Sequence, residues 1–254
     1  MSNPTIELIR RHGSVRHYKS ESVSRELIEE IVAAGQHAAT SSNLQMYSVI
    51  AITDLEKRRQ LQTFCGNQRH IGQAPVFLSW CADLSRLDRI CQTRGYNQEA
   101  GYVENFLLAA TDVAIAAQNA GLAAESLGLG FCYIGAIRNN PREVIRLLKL
   151  PRLTFPLIGM TLGWPAAPPK IRPRLPLDEV LHWEQYDTTH EQVYLDQYDQ
   201  EMIATGIYRG RQVSATDPIS EAEYGWSEHS ARRVSRVVRP NLREVLFEMG
   251  FELN

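Results

Sequence analysis

The sequence predicts an α+β sandwich organised around one long helix, and three observations carry that prediction. Short apolar runs of strand length alternate with amphipathic stretches of helix length. One segment, Tyr102 to Leu127, keeps helical character far longer than any other. From about His182 the composition turns charged and aromatic, which marks an extension beyond the main body. The alternation alone also suits a mixed α/β sheet; the long central helix fits the sandwich better.

Taken in order, residues 4–12 read as a short helix with Ile6, Leu8 and Ile9 on its apolar side. Ser24 to Ala39 is a longer one, capped by Ser24 and striped by Leu27, Ile28, Ile31 and Val32. Tyr47 to Thr53 reads as a strand, Asp54 to Phe64 as a capped helix, and Pro75 to Ala82 as a buried strand. Tyr102 to Leu127 would span roughly 40 Å, with Gly128 just past its end. Its alanines (among them Ala109, Ala116, Ala117, Ala120 and Ala124) admit close neighbours, and few polar groups interrupt it. It is expected to be buried nearly all round, either as a plain core helix or as a core helix that also meets a second subunit. Gly130 to Gly135 and Phe155 to Leu162 are two more strands, with a Pro-started helix, Pro141 to Leu150, between them. The expected division is a core over residues 1–180 and an extension over 181–254. That tail, with Trp183, Tyr186, Tyr194, Tyr198, Tyr208, Tyr224 and Trp226, reads as too polar for a core of its own, so it should wrap over the main body or a partner.

Bulk properties exclude several classes. The 254 residues are 44% hydrophobic and 22% charged, the composition of an ordinary globule, and the net charge is -2. That charge gives no field for nucleic acid or anionic membrane. The basic run Arg232, Arg233, Arg236, Arg239 reads as a solvated face or a tail contact, with Glu221, Glu223 and Glu228 beside it. The N-terminus has no apolar signal core, and no window is read as a membrane span. Cys65, Cys81, Cys91 and Cys132 form no CxxC pair, and the seven histidines are scattered, which argues against zinc. Reduced thiols and no signal point to the cytoplasm.

Four polar patches carry the chemistry. If Arg11-His-Gly-Ser-Val-Arg16 runs extended, His12, Ser14 and Arg16 project to one face, a set suited to a phosphate or a polarised carbonyl. Thr40-Ser-Ser-Asn-Leu-Gln45 offers hydroxyls and amides at a helix end; alone it is an ordinary loop. Tyr133-Ile-Gly-Ala136 could bring main-chain amides against a flat heterocycle, or simply end a strand. In Ile171-Arg-Pro-Arg-Leu-Pro176 the prolines hold Arg172 and Arg174 at alternate extended positions, suited to a phosphate dianion or to solvent.

Together with Thr5-Ile-Glu-Leu-Ile9, Gly66-Asn-Gln68, Ala123-Ala-Glu-Ser-Leu-Gly-Leu-Gly130, Arg138-Asn-Asn140 and Leu162-Gly-Trp-Pro165, these patches resemble the oxygen-insensitive nitroreductases and NADPH:FMN oxidoreductases of the NfsA/Frp type. The resemblance covers nearly the whole chain in order. It implies a nitroreductase-like α-β-α sandwich and a homodimer whose C-terminal extension wraps the partner subunit. It also implies a bound FMN, with NADPH as co-substrate in a ping-pong reduction of nitroaromatics, quinones or flavins.

Residue by residue, the resemblance implies that His12, Arg172 and Arg174 face the FMN phosphate. Ser14, Thr40, Ser41 and Ser42 would contact the phosphate and ribityl chain, Gln68 the ring, and Tyr133, Ile134 and Gly135 would pass along it. Arg16 would sit at the pyrimidine edge and tune the flavin toward two-electron transfer. Arg209, with Arg211, would receive the NADPH 2′-phosphate. The sequence departs from the family in having Gly13 for the usual Arg, Ala136 for a frequent Gly, Arg172 for the common Lys, and an insertion-like stretch from Val213 to Tyr224. No GxGxxG follows a strand, which fits an NADPH that visits and leaves. No Ser-His-Asp, Cys-His or paired-carboxylate set stands out, so the chemistry would be the flavin's. The alternatives are a dedicated flavin reductase that supplies reduced FMN, and a flavin-binding sensor or carrier with little turnover.

Overall fold

Backbone capping and apolar periodicity place the elements close to where the sequence puts them. The computed structural model describes residues 3–213 and 219–254. Helices α1 (Pro4–Arg10) and α2 (Arg25–Gln36) are followed by strand β1 (Tyr47–Ile52), α3 (Leu55–Phe64), α4 (Arg69–Gln73) and β2 (Val76–Asp83). Then come α5 (Ser85–Arg94), α6 (Val103–Ser126), β3 (Gly130–Ile134), α7 (Pro141–Leu148) and β4 (Thr154–Gly163). The chain ends with α8 (Glu191–Ala204), α9 (Trp226–Val234) and α10 (Leu242–Glu248). The Ser24 hydroxyl accepts from the Leu27 amide at 3.2 Å and the Asp54 carboxylate from the Lys57 amide at 2.8 Å, so both expected caps form. The short helices α4 and α5 do not stand out in the sequence; neither has a side-chain cap at its N-terminus.

The strands form one antiparallel sheet in the order β1-β2-β4-β3, so the alternative of a mixed sheet is set aside. Side-chain alternation along the buried strand β2 builds two faces. Val76, Leu78 and Trp80 meet α2 and α6 through Ile28, Ile31, Val113, Ala116, Ala117 and Ala120. Phe77 faces the other way, toward Leu61, Ile71 and Val144 of α3, α4 and α7. This is an α-β-α sandwich.

Two expectations about α6 are corrected. Its buried residues (such as Ala109, Val113, Ala117, Ala120 and Ala124) lie on the side that faces the core, while Leu107 and Ile115 are 53% and 40% exposed; it is not covered all round within one chain. It is also long and apolar enough to span a membrane by length and composition, with mean hydropathy 1.3. In this fold it is a core helix, and it buries the carboxylate of Asp112.

Contacts divide the chain into two compact units, one running to Lys170 and taking in Arg239–Asn254, the other Ile171–Val238. The expected border at 180/181 therefore falls inside the second unit. In the first unit α10 closes the sheet end, with Val245, Leu246 and Phe251 packed on Leu84, Ala109 and Phe155. The tail was expected to lack a core; the second unit has a small one made of rings. Tyr198, Met202 and Tyr224 are buried, Tyr198 meets Trp226 at 5.4 Å, and Tyr208 stacks on His229 at 4.3 Å. Rings bury large area while their polar tips stay bonded: the Tyr224 hydroxyl accepts from the Val213 amide at 2.8 Å.

Candidate functional site

The segment after α1 is extended and stitched to the sheet. The Val15 amide donates to Phe131 O, that of Lys19 to Trp164 O, and that of Ala166 to His17 O, each at 2.9 Å. The Tyr18 hydroxyl donates to Val15 O at 2.7 Å, and burial pushes its pKa up. Gly13 and Val15 are buried while Ser14 and Arg16 are exposed, so the alternation read from the sequence is present. His12 is held apart from that simple pattern: its Nδ1 lies 2.6 Å from Glu125 Oε1, and its ring rests 5.1 Å from that of Phe131.

Gly13 has a packing reason. A Cβ there would lie 2.8 Å from Pro169 Cβ and 2.9 Å from the Lys170 carbonyl oxygen, so the chain crosses where a side chain would stand. A side chain at this position requires the chain at Pro169 and Lys170 to shift.

The loop after α2 is strained. Ser42, Asn43 and Gln45 have φ of 49°, 56° and 51°, the left-handed region that non-glycine residues rarely adopt. A fully buried carboxylate holds it: Asp112 of α6 accepts from the amides of Ser41 at 2.9 Å and Met46 at 3.0 Å. Thr40 and Ser41 are half-buried and Ser42 exposed, which leaves their hydroxyls at the surface.

Gln68 precedes α4 and donates from Nε2 to Cys65 O at 3.0 Å. Two residues on, His70 is 9% exposed, its Nε2 has no hydrogen-bond partner, and its pKa is pushed down to about 4 by burial, then by Arg16 and His17. Burial pushes the Cys65 and Cys81 thiols up to about 12, which makes them inert. Tyr133 is half-buried, Ile134 buried, and Gly135 opens a single turn, Gly135–Arg138, where a Cβ would meet nothing closer than the Arg138 guanidinium at 3.5 Å.

Arg172, Arg174, Arg209 and Arg211 belong to the second unit and are exposed. Arg209 lines a cavity of about 320 Å³ with Tyr208, Tyr224, Met202, Gly206 and Glu221. The Val213 to Tyr224 stretch lies partly outside the described residues. Arg232 is engaged inside this unit, over the Tyr224 ring at 5.3 Å and bonded to Glu228 and Val213 O. That is a structural role, and α9 ends at Val234, so the basic run is not one helical face.

In the first unit, exposed Ser14 and Arg16 beside β3 and, at a separate station, the polar residues Thr40–Ser42 offer donors of the kind a phosphorylated ligand such as FMN requires. Asp112, Glu125 and His70 did not stand out in the sequence. The signal was there for two of them: lone carboxylates in an otherwise apolar, alanine-rich helix.

The fold is an α-β-α sandwich, and comparison gives it a family. Residues 9–75 and 63–164 match the nitroreductase family and residues 172–254 its C-terminal domain; the chain belongs to the nitroreductase family. It is 40% identical over 249 residues to an oxygen-insensitive NADPH nitroreductase of Salmonella typhimurium, covering 98% of each chain. It superimposes on B. megaterium NfrA2 with a TM-score of 0.91 at 35% identity, covering 100% of both chains. The NADPH:FMN oxidoreductase of Vibrio harveyi complexed with NAD+ follows at 0.86 and 34%, covering 99% of this chain and 100% of the other.

Proposed function

We propose that this protein is an FMN-dependent NADPH oxidoreductase that reduces small acceptors such as nitroaromatics, quinones or flavins. The observation that carries the reading is the extended 12–16 segment, stitched to the sheet edge with Ser14 and Arg16 turned outward. Relatives along the full length named NADPH nitroreductase, FMN reductase and NADPH-flavin oxidoreductase support it.

The flavin supplies the redox chemistry when bound. His12, Arg172 and Arg174 hold its phosphate, with Ser14, Thr40, Ser41 and Ser42 along the phosphate and ribityl chain. Gln68, Tyr133, Ile134 and Gly135 line the ring, and Arg16 places a permanent cation at its pyrimidine edge. Arg209, with Arg211, receives the NADPH phosphate; the Arg209 cavity supports that role.

A homodimer completes this reading. Asp112 and Glu125, which hold the Thr40–Gln45 loop and His12, are thirteen residues apart on α6, an axial separation of about 20 Å. Stations so far apart serve one phosphate when a second copy supplies one of them, and the exposed Leu107 and Ile115 give such a copy a surface. The compartment proposed is the cytoplasm.

The purified protein should be yellow and release one FMN per chain on denaturation. Initial rates with NADPH and a quinone or nitroarene should give parallel double-reciprocal lines. A colourless protein that takes up no FMN would overturn the reading. Tight FMN retention separates an acceptor reductase from a flavin reductase that hands its FMN on.

A further inference from the structure

We infer that Glu125 positions His12 for the flavin phosphate. The inference rests on the cofactor reading above and extends it from His12 to the residue that orients His12 toward the ligand. His12 is fixed on two sides: Nδ1 is 2.6 Å from Glu125 Oε1, and Phe131 supports the ring. With Nδ1 committed, Nε2 is the nitrogen left to a ligand, and the carboxylate sets which way it points.

Local energetics oppose a carboxylate at this place, so its reason lies elsewhere. Glu125 is the penultimate residue of α6, where the exposed carbonyls of the helix end disfavour negative charge. Its side chain is only 12% exposed, and Oε2 is buried with no hydrogen-bond partner. A carboxylate half-satisfied in a nearly buried site costs stability. A residue selected for the helix alone would be a lysine or an arginine. What Glu125 gains is a single contact that ties the α6 terminus to a segment 113 positions earlier in the chain.

The test separates phosphate recognition from general stability. Flavin-stripped full-length protein is titrated with FMN and with riboflavin, which shares the ring and ribityl chain and lacks the phosphate. Wild type should prefer FMN. Glu125→Gln should lower FMN affinity roughly tenfold while riboflavin affinity stays unchanged. The His12→Ala, Glu125→Gln double variant should be no worse than His12→Ala, because Glu125 acts through His12. Glu125→Asp keeps the charge one methylene short and should show a smaller loss of the same preference, which covers the case where glutamine unseats the helix end.

If wild type prefers FMN and Glu125→Gln keeps that preference, or if its loss adds in full to that of His12→Ala, the positioning role is wrong while the cofactor reading stands. If wild type binds neither flavin, both fall.

Discussion

The two polar segments assigned to the flavin are held by opposite means. Residues 12–19 run extended, joined by backbone bonds at Val15, His17 and Lys19 to Phe131, Ala166 and Trp164, with Gly13 and Val15 buried beneath. Residues 40–45 carry three left-handed non-glycine residues and are held by the two oxygens of one buried carboxylate, Asp112. One wall is therefore distributed over many contacts and the other concentrated in a single side chain. A concentrated clamp can hold a strained loop of hydroxyls open to a ligand, at the risk that one substitution releases it.

The largest effect should come from that clamp. Asp112→Ala leaves the buried Met46 amide and the part-buried Ser41 amide unpaired and should cost about 3 kcal/mol in denaturant unfolding. A loss below about 1 kcal/mol, no more than a surface substitution gives, would mean the loop is held elsewhere.

Next is the extended wall. Gly13→Ala forces a methyl group onto Pro169 and the Lys170 carbonyl and should cost about 2 kcal/mol, while Gly135→Ala, with open space, should be nearly silent. Equal effects at the two glycines would contradict the packing account.

His70 gives a comparable, pH-dependent effect behind the same wall. Its folded pKa, about 4, lies below the ordinary 6.5, so the unfolded chain binds the proton more readily. Stability from this group is full above pH 6.5 and is lost as pH falls toward 4. His70→Gln should flatten that part of the stability–pH curve; an unchanged slope would remove His70 from the account.

The smallest effect tests the strain itself. Ser42→Gly should raise stability by about 0.5 kcal/mol, since glycine adopts the left-handed region freely. A destabilised Ser42→Gly would mean that its hydroxyl supports the loop.

Much of this contrast was visible in the sequence on one side only. The alternation of His12, Ser14 and Arg16 follows from strand period, and the caps at Ser24 and Asp54 from their side chains. The strain at Ser42, Asn43 and Gln45 did not, because no local preference calls for left-handed geometry there; it exists only through Asp112, some seventy residues away. Gly13 read as a missing cation, whereas its cause is a crossing chain at Pro169 and Lys170. The ring-built core around Tyr198, Tyr208 and Tyr224 was hidden by the charged residues between them. Its members are spread over α8, α9 and the connection between those helices, so no single periodicity reveals them.

Both walls exist, on this account, to hold a flavin that accepts electrons from NADPH and passes them on. An anaerobic titration tests that most directly. Adding NADPH to the purified yellow protein should bleach its flavin absorbance within seconds at about one equivalent per chain, and a quinone should restore it in full. Bleaching that takes many minutes, or absorbance that no acceptor restores, would contradict the assignment of this chain as a turning-over oxidoreductase.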